Sequence, residues 1–228
     1  MLLEPFYAAG EHLAIDLPGS RALFTTRRAG SAAEKENRES LERRLGVRFA
    51  YGRQVHGARV RRTAVPGEGA PPEADGQATA TPGVGGMILT ADCLPIAIAG
   101  QGAIAMLHAG WRGLAAGVVG AGARAVRELG ARGELVAVIG PGARRCCYQV
   151  GEEVHAVFAA HGPRARQDDN LDLGAIARSE LERVGVTVVH DAGLCTICSD
   201  PGLFFSYRRE RGNTGRQAGI AWLRGHDS

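Results

Sequence analysis

Residues 86–113 read GMILTADCLPIAIAGQGAIAMLHAGWRG. Three short apolar runs, 86–89, 94–99 and 103–107, are separated by polar or glycine-containing breaks. Short apolar runs bounded by such breaks read as buried strands. Just downstream, Leu114, Val118, Ala121, Ala125 and Leu129 recur at three- or four-residue steps, the pattern of a helix over 114–129 with one apolar face. Glycines 117, 120 and 122 cost that helix propensity, so tight packing must hold it.

The same reading extends outward. Residues 21–27 form a short strand, 34–46 a helix ended by Gly46, and 47–55 and 59–65 two alternating stretches. The segment VPGEGAPPEADG is a Pro/Gly loop. Beyond it come a strand at 135–139, helices at 152–160 and 173–184, a strand at 186–190, an irregular tail over 195–211 and a last strand at 218–223. Strands and helices interleave, so the expected class is α/β (α+β), one domain over residues 1–228 with a mixed β-sheet flanked by helices.

Composition narrows the function. The chain has 228 residues, 45% of them hydrophobic and 22% charged, ordinary for a globular protein able to bury a core unaided. A net charge of +3 is too weak to argue for nucleic acid, and no apolar run is long enough to span a membrane. The N-terminal residues lack a basic region followed by a long apolar stretch, so no secretory signal is expected and the setting is read as cytoplasmic. Five cysteines leave one unpaired in any disulfide scheme, which favours free thiols or metal ligands. Lys35 is the only lysine, and no GK[ST] phosphate loop occurs. Arginine is therefore the strong cation available to hold a phosphate.

Three polar segments sit at or near strand ends: Gln54–Val55–His56–Gly57, Thr90–Ala91–Asp92–Cys93 and the stretch from Leu107 to Gly113 that carries His108, Trp111 and Arg112. His56, Cys93 and His108 form a reasonable zinc set, since imidazole and thiolate both suit zinc and three ligands leave a fourth position for water. Buried histidines and a cysteine packing as small polar core groups would read the same way. No HxH pair, HExxH or deaminase HxE…PCxxC pattern occurs, which argues against a multicopper oxidase and two known zinc classes. Cys195–Thr–Ile–Cys198 is a lone CxxC without a second pair at ribbon spacing, and the adjacent Cys146 and Cys147 do not supply one; it reads as local coincidence. Aromatics stand beside arginines at Phe204–Arg209 and near Arg216, a combination that suits a phosphate and a stacked base.

The motifs QVHG, ADGQATATPGVGGMILTADCLPI, AMLHAGWRGLAAGV, IGPGARRCCYQVGEEV, LDL and CT…FFSYRRERGNTGRQAGIAWL occur in that order. Together they closely resemble the YfiH or laccase-domain family, also called purine nucleoside phosphorylase-like or peptidoglycan editing factor proteins. The resemblance implies a single α/β domain with mixed sheets, like the catalytic domain of cytotoxic necrotizing factor. It implies one zinc on His56, Cys93 and His108, with copper the weaker choice. It further implies phosphorolysis of adenosine, inosine and methylthioadenosine, and deamination of adenosine, so the expected partners are a purine nucleoside and phosphate rather than nucleic acid or membrane. The candidate catalytic residues are Cys93, His108 and Asp92, and the substrate-binding candidates are Gln54, Arg112, Arg208 and Arg216. A copper polyphenol oxidase, an older name for the family, lacks support in the histidine pattern. The alternative function is a metal-free Cys93–His108 amide hydrolase or peptidoglycan-precursor editing factor. The sequence departs from the family twice: residues 30–36 are shortened before the Glu36–Asn37–Arg38 helix, and Gln149 stands where a glutamate is common.

Overall fold

The computed structural model describes residues 4–65 and 70–225. Part of the expected Pro/Gly loop, residues 66–69, lies outside the described residues. The first strands are β1 (Tyr7–Ala9), β2 (His12–Leu17) and β3 (Ser20–Phe24), followed by helix α1 (Lys35–Leu45). Strands β4 (Arg48–Ala50), β5 (Val60–Arg62), β6 (Gly76–Thr79), β7 (Val84–Thr90), β8 (Leu94–Gln101) and β9 (Ala103–Ala109) come next. Helices α2 (Trp111–Ala115) and α3 (Val118–Glu128) lead to β10 (Arg132–Ile139) and α4 (Glu152–Val157). A two-strand hairpin, β11 (Arg166–Gln167) and β12 (Asn170–Leu171), precedes α5 (Leu173–Arg183), β13 (Val188–Asp191) and β14 (Gln217–Leu223).

The mixed sheet is in fact two six-stranded sheets. One has the order β1-β2-β3-β14-β7-β4, the other β13-β10-β8-β9-β6-β5. Each is antiparallel at its centre and carries parallel pairs at its margins, β4 with β7, β5 with β6 and β10 with β13. Period-two alternation explains the stacking. Along β8, Ala97 and Ala99 join Leu13, Ile15, Phe24, Ile104 and Met106 in a core between the sheets. The alternate residues Leu94, Ile96 and Ile98 face outward, into a second core with Val118, Val126, Ile176 and Leu181 from α3 and α5. On the far side, Leu23, Ile220 and Trp222 pack on Leu41 of α1 and on Phe49. The layers thus run helix, sheet, sheet, helices. Each fully buried Leu or Ile in them is worth roughly 1.5–3 kcal/mol of transfer free energy.

Two expected elements change on folding. The single helix expected over 114–129 is two, because Gly117 takes φ +85° and breaks the hydrogen-bond ladder between α2 and α3. The helix expected at 152–160 ends at Val157 and gives way to a 3-10 stretch, Ala159–Ala165, containing Pro163. The expected helix end at Gly46 is seen, with a left-handed C-cap at φ +65°.

Candidate functional site

The chain crosses from one sheet to the other four times, between β4 and β5, β6 and β7, β7 and β8, and β13 and β14. His56 lies on the first crossing, Cys93 on the third, and His108 near the end of β9, against both. Their donor atoms all lie within 4.8 Å of one another. The rings of His56 and His108 meet edge to face, with centroids 4.8 Å apart. His108 is buried, Cys93 half-buried and His56 exposed.

Asp75 organises this group, and sequence reasoning missed it. It is fully buried just before β6. Its carboxylate accepts the backbone N–H groups of Val55 (3.1 Å), His56 (2.9 Å) and Gly57 (2.8 Å), together with Nδ1 of His108 (2.8 Å). His56 itself sits at φ +59°, a left-handed conformation uncommon for a residue with a side chain. The three amides on Asp75 hold it there. Fixing Nδ1 of His108 leaves Nε2 free for a ligand, the usual arrangement of a metal-bound histidine.

Burial alone would lower the His108 pKa, but hydrogen bonds to Asp75 and Cys93 outweigh it and raise it to about 9. Burial alone would raise the Cys93 thiol, yet His108 and His56 bring it down to about 6. The site therefore favours a thiolate before any cation is added. Two imidazoles and one thiolate are a donor set suited to zinc, with a fourth position left for water or substrate. A blue-copper centre would add a weak axial methionine. Met87 and Met106 instead belong to sheet cores, and neither lines the pocket.

The three donors stand in the wall of a cavity of about 720 Å³. The same cavity is lined by every other predicted site residue: Gln54, Asp92, Arg112, Arg208 and Arg216. Their side chains are differently disposed. Arg112 stacks on Trp111 with its guanidinium carbon 4.3 Å from the ring centroid. Arg208 lies 5.2 Å from the Tyr148 ring and Arg216 5.9 Å from Tyr207. None of the three forms an ion pair among the described residues; Arg208 donates to the Gln149 carbonyl at 2.8 Å, Arg216 donates to the carbonyls of Thr214 (2.7 Å) and Gly215 (2.9 Å), and Asp92 is an acid in the same cavity wall.

Gln54 and Asp92 are committed to the scaffold. The Gln54 amide exchanges two hydrogen bonds, each 2.7 Å, with the backbone of Leu89. Asp92 accepts the Thr196 hydroxyl on one oxygen and the Arg208 backbone N–H on the other, both at 2.7 Å. That geometry suits holding the Arg208 loop rather than moving a proton. Tyr148 is a further pocket residue that sequence reasoning did not select. Burial pushes its phenol up to about 12, so it keeps its proton and can donate a hydrogen bond into the cavity.

The two departures from the family pattern act at the margin. Gln149 is exposed and absent from the cavity lining, and its carbonyl accepts from Arg208 at 2.8 Å. The shortened 30–36 stretch stays outside the cavity but grips its wall: Ser31 Oγ accepts the Arg216 N–H at 3.1 Å, and Ala32 N–H donates to the Arg216 carbonyl at 2.9 Å.

Comparison with known proteins agrees with this picture. The family described as multi-copper polyphenol oxidoreductase laccase matches residues 22–224. A purine nucleoside phosphorylase of Pseudomonas aeruginosa is 41% identical over 205 residues, covering 84% of this chain and 81% of that protein. A Neisseria meningitidis protein superposes with a TM-score of 0.81 at 32% identity, over 95% of this chain and 100% of its own. The YfiH protein of Bacillus licheniformis gives 0.84 at 25% identity, over 97% of this chain and 100% of its own. With the motifs in order, the two-sheet fold matched and the family's residues spanning almost the whole sequence, the chain belongs to the YfiH laccase-domain family.

Proposed function

We propose that the protein is a zinc-dependent purine nucleoside phosphorylase that also deaminates adenosine, both at the His56/Cys93/His108 site. One observation carries the reading: three zinc-type donors converge within 4.8 Å in a cavity that also holds three arginines, each paired with an aromatic ring. Relatives named purine nucleoside phosphorylase support the substrate class. Zinc fits the site better than copper because the described residues offer two imidazoles and a thiolate and no methionine at the cavity. A cytoplasmic setting suits the five free cysteines.

When bound, zinc supplies Lewis acidity that makes water a nucleophile near neutral pH. The protein's own groups do the rest. Asp75 fixes the His108 ring. Trp111, Tyr148 and Tyr207 offer ring faces for a purine. Arg112, Arg208 and Arg216 hold the phosphate by charge-assisted hydrogen bonds. In phosphorolysis a phosphate oxygen bonds to ribose C1′, the C1′–N9 bond breaks, and the base leaves with a proton, giving adenine and ribose 1-phosphate from adenosine. The Tyr148 hydroxyl in the cavity wall is the proposed hydrogen-bond donor to the departing base. In deamination water adds at C6 and ammonia leaves, giving inosine.

A panel of nucleosides incubated with and without phosphate, read by chromatography, tests the reading. Free base is expected only with phosphate, and inosine from adenosine without it. Arg112→Ala should cut kcat/KM for phosphate about 10- to 100-fold, the worth of a lost charged hydrogen bond, and deamination less. A panel in which no purine nucleoside is consumed would overturn it.

A second reading has its own observation. His108 is hydrogen-bonded to both Asp75 and Cys93, an Asp–His–Cys line fit for a thiol nucleophile acting on an amide. Iodoacetamide separates the two: metal-loaded Cys93 should resist alkylation until zinc is chelated, whereas a free nucleophile reacts at once.

A further inference from the structure

The CxxC of the sequence is not alone in space. Cys146 and Cys147, on the loop after β10, meet Cys195 and Cys198, on the loop after β13, with all four sulfurs within 4.8 Å of one another. Cys146 Sγ lies 3.6 Å from Cys198 Sγ and 3.5 Å from Cys147 Sγ. A disulfide needs about 2.05 Å, so no pair is bonded. Four sulfurs around one zinc at about 2.3 Å stand about 3.8 Å apart at tetrahedral corners, close to the spacing seen. A cluster of several irons would spread its thiolates wider.

The surrounding backbone is built for such a centre. Amides of Cys198, Ile197 and Arg144 point at the Cys195 sulfur. Arg144, buried beneath, ties the two loops by pairing with Asp191 at 2.7 Å and donating to the Gly140 carbonyl at 2.9 Å. Gly142 and Cys195 form a parallel bridge between the loops.

We propose that Cys146, Cys147, Cys195 and Cys198 form a second metal site, a tetrathiolate centre that binds one zinc ion and is separate from the His56/Cys93/His108 group. Its role is to staple two loops that build the cavity wall. Tyr148 follows Cys147 directly, and Arg209, beside Arg208, donates to the carbonyls of Thr196 (2.7 Å) and Ile197 (3.2 Å) inside the CxxC turn. Four protein ligands leave no open position, which marks a structural site rather than a catalytic one. Loading zinc releases the four thiol protons and involves no electron transfer.

The test is metal analysis of protein purified without chelator, beside Cys93→Ala and Cys146→Ser/Cys198→Ser variants; Cys146 and Cys198 are both exposed. The Cys93→Ala arm isolates the thiolate centre whatever the first site does. It should retain one zinc, and its cobalt-substituted form should show the intense near-ultraviolet thiolate-to-metal absorption of several sulfurs. The double variant should lose that equivalent and that absorption. If the double variant fails to fold, the Cys93→Ala cobalt spectrum still decides. A Cys93→Ala protein that binds no zinc or cobalt, or a stoichiometric disulfide among the four cysteines on non-reducing mass analysis, would overturn the proposal.

Discussion

The Asp75 side chain is fully buried just before β6. One buried carboxylate receives three consecutive backbone amides and the ring of His108, so it shapes the His56 turn and orients a ligand together. Asp75→Asn keeps the volume but turns an NH2 group toward donors that need an acceptor. Groups that orient metal-bound histidines typically contribute 10- to 100-fold in affinity. Zinc affinity at the first site should therefore fall by about that factor in a competition titration with a chromophoric chelator; unchanged affinity would show that His108 is held by packing alone. His56, Cys93 and His108 were legible in the sequence, because polar residues interrupting apolar strands are conspicuous. Asp75 was not, because it sits in a Pro/Gly-rich stretch and three of its four partners are backbone amides, which residue identities do not display.

At the level of elements, the turn from β9 into α2 depends on Gly110. A Cβ there would lie 2.7 Å from Cys93 Sγ and 3.4 Å from the His56 ring. Gly110→Ala must push Cys93 aside, and we expect it to lose most first-site zinc while its circular dichroism stays near wild type; full zinc retention would contradict the close approach. Glu210 joins the 204–216 loop to the 3-10 turn Arg27–Ala29, accepting from Arg27 at 2.6 Å and Arg209 at 2.9 Å. Burial would raise its pKa, but hydrogen bonds from Thr214, Arg209 and Arg27 outweigh that and hold it at about 2, below its ordinary 4.5. A depressed carboxylate stabilises the fold above its unfolded pKa and ceases to as pH falls through its folded one. Glu210→Gln should thus melt lower than wild type at pH 7, with the gap closing between about pH 4.5 and 2; a gap independent of pH would refute this. Apolar strands such as β8 and β9 were read nearly to their ends. Strand β6 was hidden, since Gly76–Gln77–Ala78–Thr79 shows no apolar alternation though all four are buried. Gly76 is small because Leu107 lies where its Cβ would be, a constraint invisible without the partner strand.

Across the whole molecule, chemistry collects at the seam between two sheets. Strand crossings bring His56 and Cys93 to the same end as His108, and the return before β14 delivers Arg208 and Arg216. Local sequence gave the class but not the doubling of the sheet, because which strands pair is decided by long-range register. The seam also explains how a modest set of loops surrounds a cavity large enough for a nucleoside and phosphate. If one zinc site serves both reactions, Cys93→Ala abolishes both at once. Assayed with adenosine and phosphate beside the wild type, with first-site zinc counted in both, the variant should lose that zinc and form neither adenine nor inosine while keeping a cooperative thermal transition. A Cys93→Ala protein without first-site zinc that still produces adenine or inosine at the wild-type rate would show that the chemistry does not need that site.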